Sequence, residues 1–194
     1  MDRESRRPIV AVYGSSTLQE HDPAFADVRR LGAELAGRGF AVMTGGYDGA
    51  MGAASRGAHE AGGHVIGVTV DTFEARGPVN PWVLERWHTP DMHERMRRLV
   101  LEADAFVAVT GSIGTLTELF LTWTLVSVSA RPPAPIVLMG AHWRGWLEAH
   151  RTPGFVPQHL FRWIQVADTP KATAGAVASG IAAARADGAH ELRP

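Results

Sequence analysis

The residues best placed for chemistry stand where glycine-rich backbone meets a helix start. The run Ala105-Phe-Val-Ala-Val109 reads as a strand, Thr110-Gly-Ser-Ile-Gly114 as a loop and Thr115 as a helix start. A strand that ends in a glycine turn and feeds a helix leaves N–H groups unpaired and aimed at one spot, where the helix dipole adds partial positive charge. Such a turn is a seat for a phosphate. Glu118 lies one turn inside the same helix. An anion seat beside an acid points to chemistry on a phosphorylated small molecule rather than to binding alone. A capping box over Thr115-Leu-Thr-Glu118, with Glu118 reaching back to the Thr115 N–H, accounts for the same carboxylate without catalysis.

Three further clusters carry candidate groups. In Pro90-Asp91-Met92-His93-Glu94-Arg95-Met96-Arg97-Arg98, helical spacing puts Met92, Arg95, Met96 and Leu99 on one stripe. An arginine on the apolar side of a helix must meet an anion, and either a protein carboxylate or a ligand would serve. Glu94 and Arg98 are spaced as an ordinary surface pair, and His93 reads as structural. The turn Gly45-Gly46-Tyr47-Asp48-Gly49 allows close backbone approach to a ligand. Asp48 there is either a contact to a sugar hydroxyl or a helix N-cap. Gly14-Ser15-Ser16 offers two hydroxyls to phosphate or ribose, and a plain strand-to-helix turn with a serine cap explains the same residues.

Strand-like and helix-like segments alternate throughout. Strands are expected at 9–13, 41–44, 64–70, 84–88, 105–109, 136–139 and 164–166, and helices at 23–38, 50–61, 91–102, 115–129, 143–150 and 169–186. A long loop, 71–83, contains Pro78 and Pro81. Alternating βα units predict one Rossmann-like α/β domain over 1–194, a three-layer α/β/α stack on a mostly parallel sheet of about seven strands. Such sheets bind ligands beyond the carboxyl ends of their strands, so the turns after Tyr13, Thr44 and Val109 should gather on one edge. The 115–129 helix is apolar nearly all round, whereas a helix covering a sheet needs a single stripe. A second copy of the chain would bury the surplus. Phe155, Phe161 and Trp163 from the C-terminal segment would do so too.

Composition narrows the chemistry. The 194 residues carry a formal net charge of −1, which gives no sign of nucleic-acid or membrane-surface binding. Cysteine is absent, excluding disulfides, thiolate metal sites and a cysteine nucleophile. No histidine pair has HExxH-type spacing. The charged N-terminus and the lack of a membrane-length apolar run make a cytoplasmic protein the expectation. Lys171 is the only lysine, so there is no Walker A loop, and a Schiff-base lysine would have to be this residue at a surface-type helix start.

Thr44-Gly-Gly-Tyr-Asp-Gly-Ala-Met-Gly52, Met92-His-Glu-Arg-Met96 and Thr110-Gly-Ser-Ile-Gly-Thr-Leu-Thr-Glu118 together resemble the GGGxxGLMG, MHERK and PGGxGTxxE signatures of the LONELY GUY (LOG) family, long mislabelled lysine decarboxylases. Order and spacing run in parallel from Val10 to about Met139. The resemblance implies a phosphoribohydrolase that splits a nucleoside 5′-monophosphate, AMP or an N6-substituted AMP, into free base and ribose 5-phosphate. It implies no metal or organic cofactor and a homodimer or larger assembly. Carried over by residue, Arg95 and Glu118 match the catalytic pair and Gly111, Gly114 and Thr115 the phosphate loop. Gly14, Ser15, Ser16, Gly45, Gly46, Asp48, Met92 and Ser112 complete the expected substrate-binding set.

The departures are specific. Met96 replaces the lysine of MHERK, Thr110 and Ser112 replace a proline and a glycine of PGG, and Thr44 replaces a glycine. Ser112 would be strained if its position demanded positive φ. Such changes also fit a branch that binds nucleotides without hydrolysing them, of the related molybdenum-cofactor carrier type. A cleavage that builds positive charge on ribose suits Glu118 as its stabiliser or water-orienting base, with Arg95 neutralising the phosphate.

Overall fold

Strand β1 (Ile9–Tyr13) reads IVAVY, and all five residues are buried. A strand with no polar alternation must be covered on both faces, which is how parallel sheets are built. The computed structural model, which describes residues 6–75, 77–151 and 156–191, places β1 at the centre of a seven-stranded sheet. In chain order β1 is followed by α1 (Pro23–Gly37), β2 (Ala41–Thr44), α2 (Ala50–Glu60), β3 (Val65–Val70), α3 (Asp71–Glu74), β4 (Glu85–Thr89), α4 (Met92–Leu101) and β5 (Ala105–Ala108). Then come α5 (Ile113–Ser127), β6 (Ile136–Met139), α6 (His142–His150), a 3₁₀ turn (Gln158–Trp163), β7 (Ile164–Ala167) and α7 (Pro170–Glu191). The strand order is β4-β3-β2-β1-β5-β6-β7, and every pairing is parallel.

Successive strand residues point to opposite faces, which divides the core in two. Val10 and Val12 join Leu31, Val42, Val107 and Val177 under α1, α2 and α7. Ile9, Ala11 and Tyr13 join Leu99, Phe106, Leu119 and Trp123 under α4 and α5. The strand order reverses direction between β1 and β5, which opens a crevice where their following loops diverge.

The alternating pattern, the parallel sheet and the three layers hold as expected, with element ends shifted by a residue or two except at α7, expected to stop at 186 and running to Glu191. Within the long loop Asp71–Glu74 forms a short helix, which the prolines at 78 and 81 had masked. The helix expected from Thr115 begins at Ile113. Its surplus apolar surface is covered in part. Phe161 packs edge-on against Trp123 with ring centroids 5.1 Å apart, and Trp123 Nε1 donates to the Leu160 carbonyl at 2.9 Å. Phe155 lies outside the described residues. A row of Ile113, Thr117, Phe120, Thr124 and Val128 still faces outward, with Ile113 78% and Val128 64% exposed. No helix of the described residues is long and apolar enough to cross a membrane.

Tyr47 fastens the glycine turn after β2 to the sheet. Its hydroxyl donates to the Val70 carbonyl at 2.9 Å and accepts from the Val70 N–H at 3.1 Å. Tyr47→Phe keeps the ring but strands two buried backbone groups, so a loss of about 1–3 kcal/mol is expected. Urea denaturation measures it, and an unchanged midpoint would mean that water takes over both bonds.

Candidate active site at the switch point

The loops after β1, β2 and β5 are laced together. Ser15 N–H donates to the Thr110 carbonyl at 3.0 Å, and Ala50 N–H to the Ser15 carbonyl at 2.8 Å. They border a cavity of about 470 Å³ at the carboxyl edge of the sheet, within the range usual for small-molecule sites. Its walls come from β1 and its turn (Val12, Gly14, Ser16), the turn after β2 (Gly45, Tyr47, Asp48, Met51), the long loop (Phe73, Gly77, Pro78), α4 (Met92, Arg95, Met96) and the start of α5 (Ser112 to Thr115, Thr117, Glu118).

Arg95 and Glu118 meet as neighbours on the wall of this cavity. Asp91 caps α4 by accepting from the His93 and Glu94 N–H groups at 2.8 and 2.9 Å, which fixes how the helix starts. One turn on, Arg95 points inward and is 3% exposed. Its Nε donates to the Val68 carbonyl at 2.9 Å, and its guanidinium carbon stands 5.4 Å from the Phe73 ring centroid. Its Nη1 lies 3.6 Å from Glu118 Oε1, an ion pair too long to be a hydrogen bond. Among the described residues Glu118 accepts no hydrogen bond, so its oxygens keep their capacity for something in the cavity. Burial pushes the Glu118 carboxyl up to about 7, against the downward pull of the Arg95 charge. Burial also lowers Arg95, with Glu118 opposing it.

The capping-box reading of Glu118 does not survive. The helix N-cap is Ser112, not Thr115, so Glu118 sits in the second turn and turns to the cavity. Ser112 has φ −114° and ψ −159°, an extended conformation open to any residue, so the condition under which a serine there would be strained is not met. The N–H groups of Ile113, Gly114 and Thr115 have no intrahelical acceptor at this position. Thr115 Oγ1 is buried with no hydrogen-bond partner while its residue lines the cavity. A buried hydroxyl without a partner beside open helix N–H groups makes an arrangement suited to an anion.

The glycine turn meets Arg95 directly. A Cβ on Gly45 would lie 2.0 Å from Arg95 Nη2 and 2.6 Å from Met51 Sδ, so a side chain there would displace the guanidinium from its present place. Gly49, at φ +73°, is the N-cap of α2, which removes that role from Asp48 and leaves Asp48 on the cavity wall. Behind the turn, Asn80 Nδ2 donates to the Tyr47 carbonyl at 3.0 Å, and Gly46 N–H to Thr44 Oγ1 at 3.1 Å. Thr44 therefore adds a brace where the family signature has glycine.

Of the expected residues, Gly14, Ser16, Gly45, Asp48, Met92, Arg95, Ser112, Gly114, Thr115 and Glu118 line the cavity. Three stand behind it. Ser15 Oγ bonds Thr17, Gly46 packs on Gly67, and Gly111 packs on Thr115. Sequence reasoning left out Tyr47, Met51, Phe73, Pro78, Ile113 and Thr117 as lining residues. Ile113, Thr117 and Tyr47 lay inside the quoted motifs and could have been taken from them. Phe73 had no signal, because its partner Arg95 is distant in sequence. No cluster of His, Cys, Asp or Glu among the described residues is arranged to hold a metal ion.

Comparison with known proteins gives the same direction. A family model described as "Possible lysine decarboxylase" matches residues 51–177. The Cytokinin riboside 5′-monophosphate phosphoribohydrolase LOG of Oryza sativa subsp. japonica is 32% identical over 176 residues, which cover 88% of this chain and 72% of that protein. The corresponding LOG3 protein of Arabidopsis thaliana is 34% identical over 135 residues, 68% of this chain and 62% of its own length. The chain thus spans less than two thirds of that second relative. Among solved structures, the molybdenum cofactor carrier protein of Chlamydomonas reinhardtii is 25% identical with a TM-score of 0.69, covering 91% of this chain and 99% of that one. The molybdenum cofactor binding protein of Rippkaea orientalis, at 24% identity, TM-score 0.71 and coverage of 90% and 98%, shares the fold.

The electrostatics of the pair are measurable without any substrate. In protein labelled with 13C-glutamate, the Glu118 carboxyl should titrate near 7. Because the Arg95 charge holds that value down, Arg95→Gln should raise it further. A Glu118 midpoint in the ordinary carboxylate range, unmoved by Arg95→Gln, would show that the two charges do not meet.

Proposed function

This chain belongs to the LOG family of phosphoribohydrolases, and from that membership we propose that it hydrolyses the N-glycosidic bond of a nucleoside 5′-monophosphate, AMP or an N6-substituted AMP, to a free base and ribose 5-phosphate. The observation that carries the reading is the Arg95–Glu118 pair, a buried guanidinium 3.6 Å from a partly buried carboxylate, facing a cavity instead of closing on itself. The α5 N-terminus and Thr115 Oγ1 receive the 5′-phosphate. Arg95 balances its charge and fixes the sugar. Glu118, ionised in part near neutral pH, faces the positive charge that grows on ribose as the bond to the base breaks, and can orient the attacking water. The cavity groups that remain for the base are chiefly apolar: Met92, Met96, Ile113, Phe73 and Pro78.

The outward row of α5 supports a homodimer in the same reading. Ile113 and Thr117 belong both to that row and to the cavity lining, so a second copy seated on α5 would border the site. An amino-acid decarboxylase, the activity in the family model's description, finds no support: Lys171 is exposed at the start of α7 and does not line the cavity. A carrier of a phosphorylated cofactor is the second reading, favoured by the likeness to the Chlamydomonas protein along 99% of that chain.

Purified protein incubated with a panel of nucleoside 5′-monophosphates should release ribose 5-phosphate and base. Glu118→Gln should lower turnover by about 10²–10³-fold, the scale of losing one preorganised electrostatic contact, while the far-UV CD spectrum is retained. A tightly retained phosphorylated ligand with no base release would favour the carrier instead. For the assembly, Phe120→Glu places a charge in the α5 row and should shift sedimentation from dimer to monomer. An unshifted assembly would remove α5 as its interface.

A further inference from the structure

Tyr13 ends β1 on the α4/α5 face of the sheet and is 2% exposed. Its ring lies over Phe106, with centroids 6.0 Å apart and planes at 29°. A phenol at that depth needs hydrogen-bond partners. Its hydroxyl has two, Thr122 Oγ1 at 3.1 Å and the Leu99 carbonyl at 3.5 Å. A carbonyl only accepts and the phenol has one proton. Tyr13 therefore donates to Leu99, in a long bond, and accepts from the Thr122 hydroxyl. Burial pushes the phenol far up, so it stays a neutral donor at any working pH.

The two partners sit on different helices at matching heights. Leu99 is four residues beyond Arg95 on α4, and Thr122 is four residues beyond Glu118 on α5. Four residues is about one helical turn on the same face. One hydroxyl from the central strand thus links both helices a turn away from the charged pair.

The pair needs such a link. A guanidinium and a carboxylate brought together out of water normally close to hydrogen bonds of about 2.7–2.9 Å. Here they stand 3.6 Å apart. Arg95 is anchored on its own side by Val68 and Gly45, but Glu118 accepts no bond of its own among the described residues. Its place is set by where α5 lies.

Taking the hydrolase reading as its basis, we propose that Tyr13 is a positioning residue: its hydroxyl bridge from Thr122 to Leu99 holds α4 and α5 at the spacing that keeps Arg95 and Glu118 apart and open to substrate. Without it the helices relax toward each other and the pair closes, occupying the groups the substrate requires.

Tyr13→Phe keeps the stacking on Phe106 and deletes the bridge. Thr122→Val deletes it from the other end. In each, the 13C titration midpoint of Glu118 should fall below that of the wild type, because a closer Arg95 favours the carboxylate. Turnover of the nucleoside 5′-monophosphate should drop by about 10–100-fold with KM changed far less, the scale expected when a reacting group is misplaced. The double variant should be no worse than either single one, since both remove the same bridge. Val137→Ala, in the core on the opposite face of the sheet, serves as a control for lost stability and should leave midpoint and turnover in place. An unmoved Glu118 midpoint in both single variants, additive losses in the double variant, or the same shift in Val137→Ala would overturn the proposal. Wild-type protein that hydrolyses no monophosphate would end the hydrolase reading alone, because the titration decides the bridge with or without turnover.

Discussion

A guanidinium and a carboxylate have been taken out of water and then kept from bonding to each other. That constraint organises the molecule. Removing two charges from solvent is costly, and direct hydrogen bonds between them are the usual compensation. Here Arg95 is compensated elsewhere, by the Val68 carbonyl and the face of Phe73. Glu118 is left with the charge of Arg95 at 3.6 Å and little else, so burial dominates and its carboxyl is pushed up to about 7. The site stores unused hydrogen-bonding capacity, which is the property a polar ligand exploits.

The surrounding elements serve that arrangement. β3 supplies the carbonyl, the turn after β2 leaves room for the guanidinium, and α4 is clamped at both ends. Asp91 caps its start, while Arg131 reaches from beyond α5 to the Val100 and Ala103 carbonyls at 2.7 and 2.9 Å and lies over Phe106. Tyr13 and Arg131 thereby hold the same helix end, and both pack on the ring of Phe106. The sheet's reversal between β1 and β5 supplies the crevice, and the open end of α5 supplies the positive potential within it.

Much of this was legible from residue patterns because the physics is local. Apolar runs such as IVAVY and AFVA have one stable environment, a sheet covered on both faces, and βα alternation then dictates parallel pairing. The stripe that put Arg95 inward is a property of helical spacing alone. Elements shorter than two helical turns escaped: Asp71–Glu74 and Gln158–Trp163 are held by tertiary contacts rather than by a pattern of their own. The conformation of Ser112 stayed an open condition for a related reason. A glycine in a signature suggests a left-handed backbone, but here the position is extended, so a serine fits without strain. Phe73 over Arg95 and Tyr47 on Val70 join segments far apart in sequence, and no window of residues contains both partners.

The contact between Gly45 and the arginine has a consequence for descent. The missing methyl at one position and the guanidinium at the other are a lock and its tenant, so the first cannot gain a side chain while the arginine keeps its place. A lineage that abandons the arginine releases its neighbour from a bar on side chains, and a lineage that first acquires a side chain there evicts the arginine. Divergent branches of this fold should therefore carry a side chain at the first position only where the arginine has gone or moved, leaving a paired scar in the protein record where the chemistry was given up.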